Sequence, residues 1–259
     1  MTRAFRSEMI KMRRWSTASA FLFMVGFTSL GIVLAVRRDM QAHGNNGFLI
    51  RFALISPQGI DILEGGAASI VIAIALITVG ANVAAEWSQG TLRSLLVREA
   101  GRVRMLTGKF LALTLYLVVS ATITLVIGVV IALPTAHAYG LDTSLWSTSA
   151  GVGDWFEFLG NVLLALVGWC LMGLLFAVAT RSVAGAIGAV LTYALAVEGL
   201  LSGVLPDVAQ WLPGHIFADL ATGGTPTISY SVSLVLTAAY SAGFAAVSAA
   251  LFAWRDVVA

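Results

Sequence analysis

Six runs of about twenty largely apolar residues divide this chain, and a run of that length is what a helix needs to cross the hydrocarbon core of a bilayer. Inside that core no water is present to satisfy backbone N–H and C=O groups. Only helices and closed barrels survive there. A barrel would show segments of about ten residues with alternating polarity, and the runs here are continuous instead. Composition agrees: 59% of the residues are hydrophobic and 11% are charged, with a mean hydropathy of +0.92. An ordinary soluble domain carries about 25% charged residues. The expected fold class is an all-α polytopic membrane protein, a single transmembrane domain over residues 1–259 with six transmembrane helices.

Taken in order, residues 1–15 form a basic lead in which Phe5, Met9 and Met12 recur at helical spacing among Arg6, Lys11, Arg13 and Arg14. That pattern suits an amino-terminal helix lying in the membrane interface. Spans are expected at about 16–36, 62–85, 110–133, 158–180, 183–201 and 231–254. The first is too long for a signal-peptide core and has no cleavage motif before Arg37, so it is expected to be retained. Arg37 to Ile60 reads as a polar loop turning at Gly44-Asn45-Asn46-Gly47, with Asp61 and Glu64 near the interface beyond it. Pro134 is expected to close the third span and to open a loop reaching Asp154. Arg181 and Ser182 leave room only for a tight turn. Residues 202–227, with three prolines, read as a broken outer helical segment between spans five and six, a re-entrant or interfacial helix pair that does not cross the membrane.

Six spans put both termini on one side, and positive charge decides which. With the amino terminus in the cytoplasm, 12 of the Lys and Arg residues fall inside and only Arg37, Arg38 and Arg51 fall outside. That is the asymmetry expected of a multi-pass protein of the cell (plasma) membrane with both termini cytoplasmic. The lone Cys170 forms no disulfide within the chain and reads as a small buried residue. His43, His137 and His215 are too scattered for a metal site, so none is expected.

The inner segment at 86–109, E-W-S-Q-G-T-L-R-S-L-L-V-R-E-A-G-R-V-R-M-L-T-G-K, combines length with dense positive charge: Arg93, Arg98, Arg102, Arg104 and Lys109. Drawn as a helix, Trp87, Thr91, Leu92 and Leu95 share one half. Glu86, Gln89 and Arg93 share the other, joined by Val97 as an exception. Gly101 breaks the helix before Val103, Leu106 and Phe110 lead into the third span. The expectation is a projecting elbow whose polar face pairs with charges on a docked protein.

The chain carries little chemistry of its own. Gly101 and Gly108-Lys109 are six residues apart and Phe110 follows, which departs from a phosphate-binding loop. No H-E-x-x-H, G-x-S-x-G or pair of aspartates stands within the spans. No catalytic residue, cofactor or metal is expected in this chain, and it is not expected to be an enzyme. Glu198, in the fifth span, is the clear ionisable residue at depth. Three roles suit it: a local hydrogen bond near the outer interface, a place on a transport pathway or dimer seam, or proton coupling.

The run beginning at Glu86, with Gly90-Thr91, Leu95-Leu96 and Lys109 opening the third span, resembles the permease subunits of the ABC type-2 exporters. The layout of basic lead, six spans, inner elbow and broken outer segment is similar too. Glu99-Ala100-Gly101-Arg102 departs from the Pro and Ser that many relatives carry at the turn. The resemblance implies a membrane-spanning permease subunit that forms the substrate pathway as a homo- or heterodimer with a second permease subunit. It implies separate cytoplasmic ATP-binding subunits, with ATP and Mg on those partners. Coupling to them is expected through Glu86, Gln89, Gly90, Thr91, Arg93, Arg98 and Arg102. The lipid bilayer is the remaining partner, and no nucleic acid is expected. The other readings carried are a non-transport polytopic scaffold or regulator, and a membrane enzyme or self-powered transporter.

Overall fold

A computed structural model describes residues 15–41, 44–88 and 101–254, with the backbone alone at 15–17, 44–47 and 102. Among these residues every regular element is helical and no strand occurs. The helices are α1 (Trp15–Gln41), α2 (Gly44–Ile55), α3 (Gly59–Ser88), α4 (Arg102–Ala138), α5 (Ser149–Thr180), α6 (Val183–Leu191), α7 (Gly199–Val204), α8 (Pro206–Ala209), α9 (Pro213–Ala221) and α10 (Tyr230–Trp254). A π-helical stretch, Thr192–Glu198, joins α6 to α7 into one rod. Six of these rods are long and apolar enough to cross a membrane: Ala18–Gln41, Gly59–Ser88, Val103–Ala138, Ser149–Thr180, Val183–Val204 and Tyr230–Trp254. The protein is an all-α, multi-pass membrane protein. The basic lead at 1–14 lies outside the described residues.

The rods run past the expected boundaries because their stop signals lie elsewhere. Pro134 does not close the third span; it sits inside α4. The helix ends at Gly140, whose φ of +76° is left-handed backbone that glycine adopts without strain. The Gly140 N–H donates to the His137 carbonyl and the Leu141 N–H to the Ala136 carbonyl, the paired bonds of a Schellman ending. The segment expected as a loop up to Asp154 is instead a short 3-10 turn, Ser144–Ser147, followed by α5 from Ser149. The Thr148 hydroxyl caps α5 by accepting from the Gly151 N–H (3.2 Å). Residues 44–55, expected as a polar loop, form α2, whose side chains at Phe48, Leu49 and Phe52 stay exposed. This end of the bundle, away from the elbow, is tied together by buried Trp146, whose indole N–H donates to the Leu54 carbonyl (2.8 Å).

Between the fourth and fifth spans the turn is as tight as its sequence suggests. Arg181 takes a left-handed conformation (φ 56°), and Ser182 caps α6 by accepting from the Gly185 N–H (3.0 Å). The proline-rich segment after α7 forms two short helices, each with proline at its amino-terminal turn, where a missing N–H costs nothing. Neither crosses the bundle. The apolar face of α9 buries Ile216, Phe217 and Leu220 completely. Phe217 meets Trp169 of α5 edge-on at 5.6 Å.

The second and fourth spans, α3 and α5, form the enclosed centre, while the fifth and sixth are largely exposed within a single chain. The central crossing is close because glycine lies on both helices. A Cβ at Gly173 would stand 2.9 Å from Leu76 Cδ1 and 3.0 Å from the Leu76 carbonyl oxygen, and Gly80 lies beside it. Without a hydrophobic drive between helices in lipid, such small-residue contacts supply the packing. Gly173→Val is therefore expected to destabilise the detergent-solubilised protein by about 1–3 kcal/mol, the range for overpacking. Gly160→Val, on the same helix at a position with no neighbour within 4 Å of the added Cβ, is the control and is expected to melt close to wild type. Thermal unfolding of the two purified variants checks this.

Candidate functional site

The elbow leaves the second span and re-enters at the third, and the structure describes both of its ends. Of the residues assigned to coupling, Gln89, Gly90, Thr91, Arg93 and Arg98 lie outside the described residues. Arg102 is described by backbone alone, at the start of α4, with Gly101 extended just before it (φ −135°, ψ 105°). Glu86 is fully described, and it is the centre of the neck.

Glu86 sits in the last turn of α3, where the carbonyl end of the helix dipole repels a carboxylate. Lys109 offsets this from α4. Its Nζ stands 2.6 Å from Glu86 Oε1 and also donates to the Asn82 carbonyl oxygen (3.2 Å). The Asn82 amide in turn donates to the Thr78 carbonyl (2.8 Å). Both charges are enclosed: Glu86 is 9% exposed and Lys109 is 5% exposed. Val83, Ala84, Met105, Leu106 and Phe110, neighbours of the pair along α3 and α4, belong to one buried hydrophobic cluster. Trp87 leaves on the other side to meet Phe252 of the last span edge-on at 5.5 Å. The roots of the elbow are thus fixed to one another by an ion pair and to the sixth span by an aromatic contact. Sequence reasoning placed Glu86 and Lys109 in the segment but did not pair them; the signal was an acid and a base at its two ends, each entering an apolar run.

Glu198 is buried, at the end of the π-helical stretch. Its Oε1 accepts from the Gly214 N–H (2.7 Å), one of the donors that the start of α9 leaves without a helical partner. A Cβ at Gly214 would collide with this carboxylate, so glycine is what lets it approach. Of the three roles considered, the local hydrogen bond is the one this geometry displays: Glu198 ties the fifth span to the proline-rich segment.

Glu64, near the start of α3, is fully enclosed within the protein. Trp155 Nε1 donates to its Oε2 (3.0 Å), and its Oε1 has no partner. A Cβ at Gly128 of α4 would stand 2.5 Å from that oxygen, so the third span makes room for it with a glycine. The sequence signal was an acid pair at i and i+3, Asp61 and Glu64, inside an otherwise apolar helix. Among the described residues no group of three or more metal-ligating side chains occurs. Cys170 is buried.

Breaking a buried ion pair from one side leaves an uncompensated charge and costs about 3–5 kcal/mol, whereas removing both charges costs much less. Lys109→Met and Glu86→Gln are each expected to lower the melting temperature clearly, and the double variant is expected to recover most of the loss. Arg104→Met, at an exposed position one turn away, is expected to change little. A double-mutant cycle by thermal unfolding in detergent measures this.

No curated protein matches the chain. A family model described as a protein of unknown function, DUF2705, matches residues 22–258, a stretch holding all six spans from Leu22 onward, the elbow and the buried Glu64, Glu86 and Glu198. The chain therefore belongs to the DUF2705 family of proteins of unknown function.

Proposed function

We propose that this protein is the membrane-spanning permease subunit of an ATP-driven exporter, working as a dimer and moved by separate cytoplasmic ATPase subunits. The observation that carries the reading is the neck of the elbow. Glu86 and Lys109, both among the residues on which the resemblance to ABC type-2 permeases rests, form a buried ion pair where the second and third spans meet. A lever must be stiff at its root, because a push on a loose loop is lost in local bending. The pair, the Trp87–Phe252 contact and the packed side chains around them supply that stiffness. Force delivered to the basic segment 89–100 would then reach the second, third and sixth spans together.

Other features support the same reading. The sequence carries no phosphate-loop motif, and in this reading a partner carrying ATP and Mg does the work. Small residues on the last span (Ala242, Ala246) and the fifth (Ala184, Gly188) are exposed in the single chain, where a second permease subunit would pack. In this reading the protein lies in the cell membrane with both termini and the elbow cytoplasmic, following the distribution of positive charge.

The test is co-purification from native membranes with a photo-crosslinker at position 93, followed by identification of the trapped partner. An ATP-binding subunit is expected. In proteoliposomes holding both subunits, Glu86→Ala and Arg93→Glu are expected to lower stimulated ATP hydrolysis by roughly 5–150-fold, the range of coupling free energies between sites. Insertion should stay intact. Unchanged hydrolysis in both variants, or a pure stable chain with no ATPase bound, favours a non-transport scaffold.

A further inference from the structure

At the end of the bundle away from the elbow, a cavity of about 570 Å³ opens between α3, α5 and the end of α9. Asp61 of α3 and Asp154 and Glu157 of α5 line it, and no lining residue is basic. One polar group in its wall lacks a partner. Asp61 Oδ1 is cut off from solvent and accepts no hydrogen bond. Asn161 lines it too, 4% exposed, and its Oδ1 takes the Tyr230 hydroxyl proton (3.0 Å). Buried polar atoms are nearly always satisfied, so the open oxygen marks Asp61 as a carboxylate short of partners. Three carboxylates with no basic residue beside them favour a cationic occupant.

The floor of this cavity is different in kind. A second space of about 250 Å³ continues from it along the same helices, sharing Gly65, Phe158, Ala221 and Thr222. Beyond those residues its walls are Ile72 and Leu76 of α3, Trp169 of α5 and Val190 of α6, with Ala194 in the π-helical stretch. The glycine at position 65 leaves the junction open, with nothing within 4 Å of an added Cβ. An acidic mouth thus lies beside an apolar slot, the two sharing four wall residues.

We propose that these joined cavities form a binding site for a cationic amphiphile, with its positive head among Asp61, Asp154 and Glu157 and its apolar tail along Trp169 and Leu76. Charge complementarity selects the occupant. A neutral lipid tail would fill the slot and leave the carboxylates bare, and an anionic head would be repelled. A free inorganic cation would leave the slot empty. Ligand sites of this size commonly combine an apolar lining with a few placed polar groups. The inference goes beyond the exporter reading and does not rest on it, because it concerns binding by this chain alone.

Equilibrium binding of radiolabelled octyltrimethylammonium to the intact protein in nanodiscs of zwitterionic lipid tests the site, with empty discs subtracted. Saturable binding is expected, with tetramethylammonium and octyl sulfate competing far more weakly. The Asp154→Asn/Glu157→Gln double variant is expected to weaken cation binding by about tenfold or more, a change worth some 1.4 kcal/mol. Ala194→Phe, which fills the apolar slot, should weaken it comparably while leaving the charges in place. Size-exclusion profiles identify any variant that fails to fold, and the competition series on the wild-type chain decides the matter without variants. Equal competition by octyl sulfate would mark a plain lipid slot and overturn the proposal. So would absence of saturable binding, or unchanged affinity in both folded variants. None of these outcomes bears on whether an ATPase docks at the elbow, since no nucleotide or partner enters the measurement.

Discussion

The close crossing of the second and fourth spans is the contact on which the rest of the molecule depends. It is possible because Gly173 presents no side chain to Leu76 and because Gly80 lies against it. In lipid, apolar surface gains nothing by leaving its surroundings, so helices associate through fit and through polar contacts. Bringing these two helices together does three things at once. It encloses Glu64 beside Trp155, it sets Asp61 across from Asp154 and Glu157, and it forms the floor on which α9 packs its phenylalanine. The second span then carries consequences at both ends, a carboxylate held by an indole at one and a carboxylate held by a lysine at the other.

Buried acids recur through this fold, and each is handled differently. Glu86 has a cation, Lys109, at ion-pairing distance. Glu198 has a backbone N–H from the start of a helix. Glu64 has an indole N–H and one open oxygen. An ionised carboxylate without compensation is expensive in a low-dielectric interior, which makes these partners structural necessities as much as functional parts. Glycine is the recurring accessory: Gly214 lets Glu198 reach its donor, and Gly128 makes room for Glu64. Glu64, Glu86 and Glu198 each tie one helix to a neighbour in this way.

The elbow and the acidic cavity lie at opposite ends of the same central helix. A helix is stiff along its axis, and one that is clamped at its root transmits displacement over its whole length. Under the function proposed above, this arrangement would give a mechanical route between a docked ATPase at one end and a bound ligand at the other.

Sequence alone determined the helical, membrane-spanning class and the approximate place of every span, because a bilayer imposes a length and a polarity that can be counted along a chain. It also located the tight turn at Arg181 and the proline-started helices after α7. It misjudged the ends of rods, since Pro134 reads as a stop while the residue that ends the helix is Gly140, whose backbone bonds are invisible in a string of letters. Only tertiary structure decided that Lys109 belongs to Glu86, that Gly214 belongs to Glu198 and that Trp155 belongs to Glu64. Those partners lie 16 to 91 residues apart, and what unites them is the rotation of one helix about its axis against another, which packing sets and local sequence does not.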